Sequence, residues 1–272
     1  MKNTLLIILI FSFCSFSFSQ NKIDLKFNWN IMQNKISNES KQEWEEGVEQ
    51  IYKYFIKNFD YKPNKLEINI FYFTNQKSFE KYQLQNLKRK RISRTGFYSP
   101  QKGSFYMINK NNNSPIAKNI FLHESIHRIF NSEIMGEAIL LNEGMATLFQ
   151  TIYKDNNDFY VGINQKQEKS LKDIIRNKEL FDLKTFFSIS NLDWQKNNKI
   201  SYPQSNSLIY FLLIYNPNLL NLIVKDYKKQ PNKRKGYEKI IEENYINGME
   251  GFEKKWKKWI LKENKQPVKL NV

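Results

Sequence analysis

The feature that most constrains this chain is one short stretch, His123-Glu124-Ser125-Ile126-His127. On a helix, residues four positions apart lie on the same face, one turn above the other, so the two imidazoles would be neighbours. This spacing brings two histidine nitrogens to one metal ion, with a glutamate beside them. The chain contains only two histidines, and both lie here. The pattern predicts a helical metal site; the alternative is a histidine pair without a ligand on an ordinary helix.

The sequence around this stretch predicts a buried helix from Pro115 to about Phe130. Ser114 precedes the proline, and serine followed by proline is a typical helix start. A wide arc of apolar side chains includes both histidine positions, so we expect the imidazoles to point into the protein. The arc comprises Ile116, Ile120, Leu122, Ile126, Ile129 and Phe130. Buried histidines need polar partners, and a metal ion would supply them.

A metal site with an open position usually takes three protein ligands, and three downstream glutamates are candidates for the third. They are Glu133, Glu137 and Glu143. We favour Glu143, because it lies within an apolar stretch of a second helix predicted over 136–154. An acid in such a stretch is costly unless it is paired or bound to a metal. The adjacent Gly144 predicts close helix packing, and small residues on the Glu143 face would let this helix approach the first one.

Residues 1–19 have the pattern of a secretory signal peptide. Lys2 precedes an apolar run over 5–13 that is too short to span a membrane, and small residues precede the expected cleavage site. We therefore expect an exported protein, either periplasmic or extracellular. Lipid attachment at Cys14 is a less favoured alternative, because Phe13 is bulky where a small residue is expected.

Removal of Cys14, the only cysteine, would leave a chain without thiol or disulfide chemistry. Any metal ligands would then be His, Asp or Glu.

The formal net charge of +16 is compatible with an anionic envelope surface as a partner. Lys, Asn and Ile are abundant throughout, which is typical of a compositional bias, so no specific nucleic-acid partner is predicted.

The order of patterns predicts an α+β fold with a small N-terminal mixed sheet, a two-helix metal site and a helical C-terminal half. The expected division is 1–19 signal peptide, 20–60 N-terminal segment with a helix, 61–155 catalytic core and 156–272 helical subdomain. The early elements are a helix over 40–59, capped by Asn38 or Ser40, a strand over 66–73, a helix over 75–85, and strands over 96–98 and 104–108. A basic run over 87–94 is expected to be a solvated loop.

The later part of the chain reads as helical. The expected helices span 165–177, 182–188, 202–215, 218–229, 237–244 and 251–263. The last carries an apolar stripe with lysines around it. We expect this stripe to pack on the domain; the alternative is a helix that lies on an anionic membrane surface.

The metal motif, together with the stretch Asn142-Glu143-Gly144-Met145-Ala146, resembles the gluzincin branch of zinc peptidases, and among them the secreted, peptidase-MA-like proteins. In those families the third zinc ligand is the glutamate of an Asn-Glu-Gly-x-Ala stretch on the next helix. The resemblance covers about residues 60–262 and includes the hairpin before the metal helices and a later helix opening with Tyr-x-Gln-Ser.

The chain also departs from that pattern. It lacks the Gly-x-Met-Glu-Asn stretch with which aminopeptidase members bind the substrate amino terminus, so an aminopeptidase is not expected. Leu140 and Leu141 stand where a tryptophan often precedes the Glu-Gly pair.

The resemblance implies a zinc peptidase with one Zn²⁺ per chain, held by His123, His127 and Glu143. Zinc would lower the pKa of a water molecule and polarise the scissile carbonyl, while Glu124 would accept a proton and pass it to the leaving amine. Tyr202 is the candidate for stabilising the oxyanion, from its position; the alternative is a core tyrosine with a satisfied hydroxyl.

Peptide substrates of such enzymes usually pair with an exposed edge strand. The strand over 104–108 directly precedes the metal helix, so we expect it to be that edge, with Ser104, Phe105 and Tyr106 at the substrate; the alternative is an interior strand.

Two other functions stay open: a metal-binding but inactive relative that acts as a basic envelope-binding or scaffolding protein, and a basic module whose histidines are incidental. The intact Glu124 favours the enzyme, because a structural zinc site needs no base.

Overall fold

The computed structural model describes residues 23–62, 65–110, 115–134, 136, 138–162, 165–262 and 265–272. The predicted signal peptide with Cys14, the predicted helix cap Ser114 and the candidate ligand Glu137 lie outside these residues.

The described residues form an α+β fold with a mixed sheet near the N-terminus and a mostly helical remainder, as predicted. The strands are β1 (Leu25–Ile31), β2 (Leu66–Phe73), β3 (Gly96–Ser99), β4 (Ser104–Ile108), β5 (Ile152–Asp155), β6 (Asp158–Val161) and β7 (Val268–Lys269). The helices are α1 (Asn38–Phe59), α2 (Gln76–Gln85), α3 (Pro115–Phe130), α4 (Ile139–Phe149), α5 (Gln165–Arg176), α6 (Leu183–Phe187), α7 (Asn191–Lys196), α8 (Asn198–Tyr215), α9 (Pro217–Tyr227), α10 (Gly236–Asn244) and α11 (Gly248–Leu261).

Among the described residues, four strands form the N-terminal sheet in the order β1-β2-β4-β3. β1 pairs with β2 and β2 with β4 in parallel, whereas β3 runs antiparallel to β4. The sequence did not assign β1. α1 and α3 cover one face of the sheet through the main core. α2 covers the other face through a smaller cluster that includes Phe73, Phe79 and Tyr106.

The strand order overturns one prediction. β4 lies between β2 and β3, so the strand over 104–108 is interior, and β3 is the edge strand on that side of the sheet. All residues of β4 are buried, because both of its faces are covered by helices. A short apolar run is typical of such a strand.

Helix α1 is built as the periodicity predicts, with a small shift at its start. Its N-cap is Ser37, one residue before Asn38, so neither expected cap holds this position; the Ser37 hydroxyl accepts a hydrogen bond from the Ser40 backbone N–H. The helix ends at Phe59, followed by Asp60 in the left-handed region with φ 58°. Its buried face joins the main core through Trp44, Val48, Ile51, Tyr52 and Phe55.

The second metal helix is shorter than predicted, and a sheet follows it. α4 ends at Phe149, and the next residues form the hairpin β5–β6, whose turn includes Asn156 at a φ of 53°. β7 adds to β6 from the C-terminus, so strands also form in the later part of the chain, which was expected to be helical. Just after the helix, the Thr151 hydroxyl lies within hydrogen-bond distance of the carbonyl oxygens of Leu148 and Gly162.

The helical remainder packs around α8, whose residues 203–213 are all buried. The apolar stripe of α11 is buried as expected, through Phe252, Trp256, Trp259 and Ile260. This stripe therefore forms part of the core and is not free to lie on a membrane. Among the described helices, none combines the length and apolar character needed to cross a membrane.

Candidate metal centre

Helices α3 and α4 carry the candidate ligands, and Gly144 allows α4 to fit between its neighbours. A Cβ atom at this position would lie 2.7 Å from Ile209 Cγ1 and 3.1 Å from the Ser205 carbonyl oxygen. Both atoms belong to α8. The prediction that Gly144 serves close packing is therefore confirmed, but its close partner is α8 and not the first metal helix.

The structure brings His123, His127 and Glu143 together. Their ligand atoms all lie within 4.8 Å of one another. Glu143 Oε2 lies 3.4 Å from His123 Nε2 and 3.7 Å from His127 Nε2. The two imidazole rings are 4.6 Å apart and almost perpendicular. Three side chains from two helices thus converge on one point, which is what a metal ion requires.

Two amides, Asn142 on α4 and Gln150 at its C-terminal cap, set the orientation of the imidazoles. His127 Nδ1 lies 2.8 Å from Asn142 Oδ1, and His123 Nδ1 lies 3.1 Å from Gln150 Oε1. With an amide oxygen as acceptor, each Nδ1 carries the proton and each Nε2 presents a lone pair to the centre. Outer partners of this kind hold metal-binding histidines in the correct tautomer.

The Glu143 carboxylate supplies the third potential ligand atom of this group. Glu143 Oε2 is buried and makes no hydrogen bond to the described residues. Burial acts to raise the pKa of Glu143, but the two histidines and the Tyr202 hydroxyl outweigh it, so the pKa is lowered and the carboxyl is ionised. With both Nδ1 atoms protonated, two nitrogen lone pairs and a carboxylate oxygen face one another and repel unless a cation lies between them, either a metal ion or a proton on an imidazole. The three residues can therefore hold a metal ion.

The other described candidate for the third ligand has a different role. Glu133 forms an ion pair with Lys228 at 2.6 Å and also accepts a hydrogen bond from the Lys62 backbone N–H. These contacts join the end of α3 to α1 and α9. Of the two described glutamates that the sequence offered, only Glu143 faces the histidines.

Glu124 lies beside the metal-binding group and against the edge strand. Its carboxyl is buried, and the Tyr98 backbone N–H donates a hydrogen bond to it. Burial raises the pKa of Glu124 to about 7; the charge of Glu143 adds to the rise, while His127 and Arg89 oppose it. A group with such a pKa gains and loses a proton near neutral pH.

Tyr202 also reaches the centre, from the first turns of α8. Its hydroxyl interacts with the Glu143 carboxyl and with Trp194. Burial and the nearby charge of Glu143 raise its pKa, so the hydroxyl keeps its proton and can donate a hydrogen bond. The contact with Glu143 is the one expected of a residue at the metal centre. The Tyr202 ring also packs on Trp194, as in the alternative of a core tyrosine.

An open cleft of about 600 Å³ leads to this group. The edge strand β3 lines it through Gly96, Phe97 and Tyr98. Ser104, Phe105 and Tyr106 do not line it, because they lie on the interior strand with buried side chains. The prediction that these three residues form the edge was wrong, and β3 takes that position.

Several residues at the cleft were not singled out from the sequence. Asn142 directly precedes Glu143, and Gln150 lies seven positions after it, so helical spacing alone would have placed Gln150 on the ligand face. Arg89 and Arg91 belong to the basic run over 87–94, which was expected to be a solvated loop; both line the cleft.

Comparison with known proteins adds no assignment, because no protein-family model matches the sequence and no curated protein matches it.

Proposed function

We propose that the protein is a zinc-dependent peptidase, exported from the cell, that hydrolyses peptide bonds in the cleft along β3. One observation carries this proposal: the two Nε2 atoms and the orphaned Oε2 of Glu143 converge next to a buried glutamate with a pKa of about 7, at the base of an open cleft. A structural metal site has no use for that glutamate, and it usually has four protein ligands.

Zinc is the metal that best fits the donor set of His123, His127 and Glu143. Two imidazoles and a carboxylate are a known ligand set of catalytic zinc sites. The tautomers held by Asn142 and Gln150 leave Nε2 free to bind it. When bound, zinc supplies a Lewis acid that polarises a carbonyl group and lowers the pKa of a water molecule.

The protein's own groups provide the proton transfers. Glu124 accepts a proton from the attacking water and donates it to the leaving amine, so it acts first as a general base and then as a general acid. The Tyr98 N–H holds the Glu124 carboxyl in place. The Tyr202 hydroxyl, protonated because its pKa is raised, donates a hydrogen bond to the oxygen that gains negative charge.

The substrate backbone binds along β3. An edge strand presents backbone groups that pair with an extended peptide, and side chains alternate above and below it. Because β3 contacts Glu124 through Tyr98, a peptide on this strand lies next to the proposed base.

The substitution Glu124→Gln tests the proposal. It keeps the shape of the side chain and removes its capacity to accept a proton. We expect hydrolysis of a mixed peptide library, followed by mass spectrometry, to fall by about 10²–10⁴-fold. Zinc content should stay at that of the wild-type protein. Glu49→Gln, which removes a carboxylate from the exposed face of α1, serves as the control and should cleave like the wild type.

The two contrary outcomes differ in meaning. If the Glu124→Gln protein cleaves the library as fast as the wild type, Glu124 is not the base. If the wild-type protein binds zinc and cleaves nothing, the proposal fails and the metal-binding scaffold becomes the better account.

A further inference from the structure

The basic segment over 87–94 is a structured wall of the cleft. A completely buried side chain, Gln83 of α2, anchors it. Gln83 Nε2 donates to the Ser93 carbonyl oxygen at 2.9 Å, and Gln83 Oε1 accepts from the Ser93 N–H at 2.8 Å. The Ser93 hydroxyl donates to the Gly96 carbonyl oxygen at 2.7 Å, which ties the segment to β3. The segment therefore has a defined position relative to the edge strand.

Within this segment the Arg89 side chain is held in place, while its two terminal guanidinium nitrogens are available to a ligand. Its guanidinium carbon lies 3.6 Å from the centre of the Phe97 ring. Its Nε donates to the Arg91 carbonyl oxygen at 3.2 Å. The two terminal nitrogens make no hydrogen bond to the described residues. Stacking on an aromatic ring fixes the plane of a guanidinium while its edge stays available for a carboxylate.

The described acids at the cleft leave the two arginines without an ion-pair partner, although the charge of Arg89 acts on Glu124 from a longer distance. Within the described part of the chain, neither Arg89 nor Arg91 forms an ion pair. The described acids that line the cleft are Glu124 and Glu143, and both belong to the metal centre. The Arg89 side chain is partly buried, so its charge is incompletely solvated. A cationic wall of this kind attracts an anionic group of whatever enters the cleft.

We infer that Arg89 and Arg91 determine specificity by binding a carboxylate of the substrate, carried by an Asp or Glu side chain or by a free C-terminus. This inference rests on the proposed peptidase function. Arginine matches the planar geometry of a carboxylate with two parallel N–H donors. Arg89 provides a donor that is fixed by stacking on Phe97. Arg91 is exposed and binds the same substrate carboxylate from the solvent side.

The test uses binding, so that it can be read even if no peptide is cleaved. Glu124→Gln protein loaded with zinc is titrated with three decapeptide pools of otherwise neutral, randomised sequence that carry a neutral dye. The first pool has one central Glu and an amidated C-terminus, the second has Gln in its place, and the third has Gln and a free C-terminus. Fluorescence anisotropy gives the dissociation constants.

We expect the first or the third pool to bind at least about tenfold more tightly than the second. The preferred pool identifies the source of the carboxylate. The added substitutions Arg89→Gln and Arg91→Gln should reduce this preference to below about twofold. Lys90→Gln is the matched control, because it removes the same charge from the same segment at a residue outside the cleft lining, and it should keep the preference.

Two results would overturn the inference: equal binding of the three pools, or a preference that survives the double substitution. Because Arg89 also packs on Phe97, Arg91→Gln alone is measured as well. Its exposed side chain makes no contribution to the core, so thermal unfolding should not change, while the preference should fall about threefold. If the pools differ and the wild-type protein cleaves none of them, the carboxylate site stands and the peptidase proposal fails.

Discussion

Two buried carboxylates show how a structural acid differs from a candidate metal ligand. Asp226 is 3% exposed and lies near the end of α9, with its carboxylate at the start of α10. Its Oδ1 accepts from Lys229 Nζ at 2.8 Å, and its Oδ2 accepts from the backbone N–H groups of Lys235 and Gly236 at 2.8 and 3.0 Å. Glu143 is also largely buried, but its Oε2 has no hydrogen bond among the described residues and faces two imidazole nitrogens.

Both acids have lowered pKa values, so ionisation alone does not distinguish them. The difference lies in which groups surround the charge. The chain itself satisfies Asp226, whereas Glu143 needs a cation from outside. Four predictions test this difference.

The largest effect should follow Glu143→Gln, measured as zinc affinity by competition with a chelator. Loss of an outer partner of a metal ligand typically costs about 10–100-fold in affinity, so loss of a ligand should exceed this and reach about 10³-fold. Asp226→Asn should leave zinc affinity unchanged. Equal zinc affinity of the Glu143→Gln and wild-type proteins would show that Glu143 is not a ligand.

The two variants should rank in the opposite order when the free energy of unfolding is measured instead of zinc affinity. Asp226→Asn removes the ionised acceptor of three hydrogen bonds, and we expect it to lower the free energy of unfolding by about 2–3 kcal/mol, measured by urea denaturation. Glu143→Gln, measured with a chelator present, should lower it by less, about 1 kcal/mol, because Oε2 accepts no hydrogen bond among the described residues and lies 3.4 and 3.7 Å from the two imidazole nitrogens. A reversed ranking of the two variants would contradict the comparison.

The amides that orient the imidazoles should have a smaller effect on zinc. Asn142→Leu or Gln150→Leu should each weaken zinc binding by about 10–100-fold, with little change in the fold, because the imidazole tautomer is no longer held. Asn58→Leu on α1, whose amide donates to the Tyr54 carbonyl oxygen, is a control far from the ligands. The prediction fails if the control and the two variants bind zinc equally.

The smallest effect is the pH dependence that Glu124 gives to the stability of the metal-free protein. The pKa of Glu124 is raised from 4.5 to about 7, mainly by burial, so the folded state favours the protonated carboxyl. The stability that this contributes is fully present below about pH 4.5 and is lost as the pH rises through about 7.

Compared with Glu124→Gln, the chelated wild-type protein should therefore lose on the order of 2 kcal/mol between pH 5 and pH 8. Urea denaturation of both proteins at the two pH values measures this difference. A wild-type protein that follows the variant at both pH values would show that the Glu124 carboxyl is not perturbed.

The metal centre was the part most accessible from sequence, because its spacing is local. Two histidines one turn apart share a helix face whatever the rest of the chain does. Glu143 could be chosen because an acid among apolar residues needs a partner, and the structure places it at the histidines while Glu133 pairs with Lys228. The apolar periodicity of α1 and α3 is also a local feature of the sequence, and both helices were predicted correctly.

The arrangement of strands was not accessible in the same way. Strand order depends on pairing between distant segments, such as Ile70 with Phe105 in the parallel pair β2–β4. The one local signal was the run Ser104–Ile108, almost continuously apolar, which is typical of an interior strand. The role of the basic segment was hidden for a similar reason, because it depends on Gln83, a buried glutamine on a different element.

Elemental analysis of zinc per chain tests the central claim most directly, since it needs no substrate. The mature wild-type protein and His127→Ala are each dialysed with excess zinc, freed of unbound metal and measured, with circular dichroism to verify folding. We predict about one zinc per chain in the wild type and none in the variant. A folded wild-type protein that remains free of zinc after loading would contradict the metal centre and the hydrolase proposed on it.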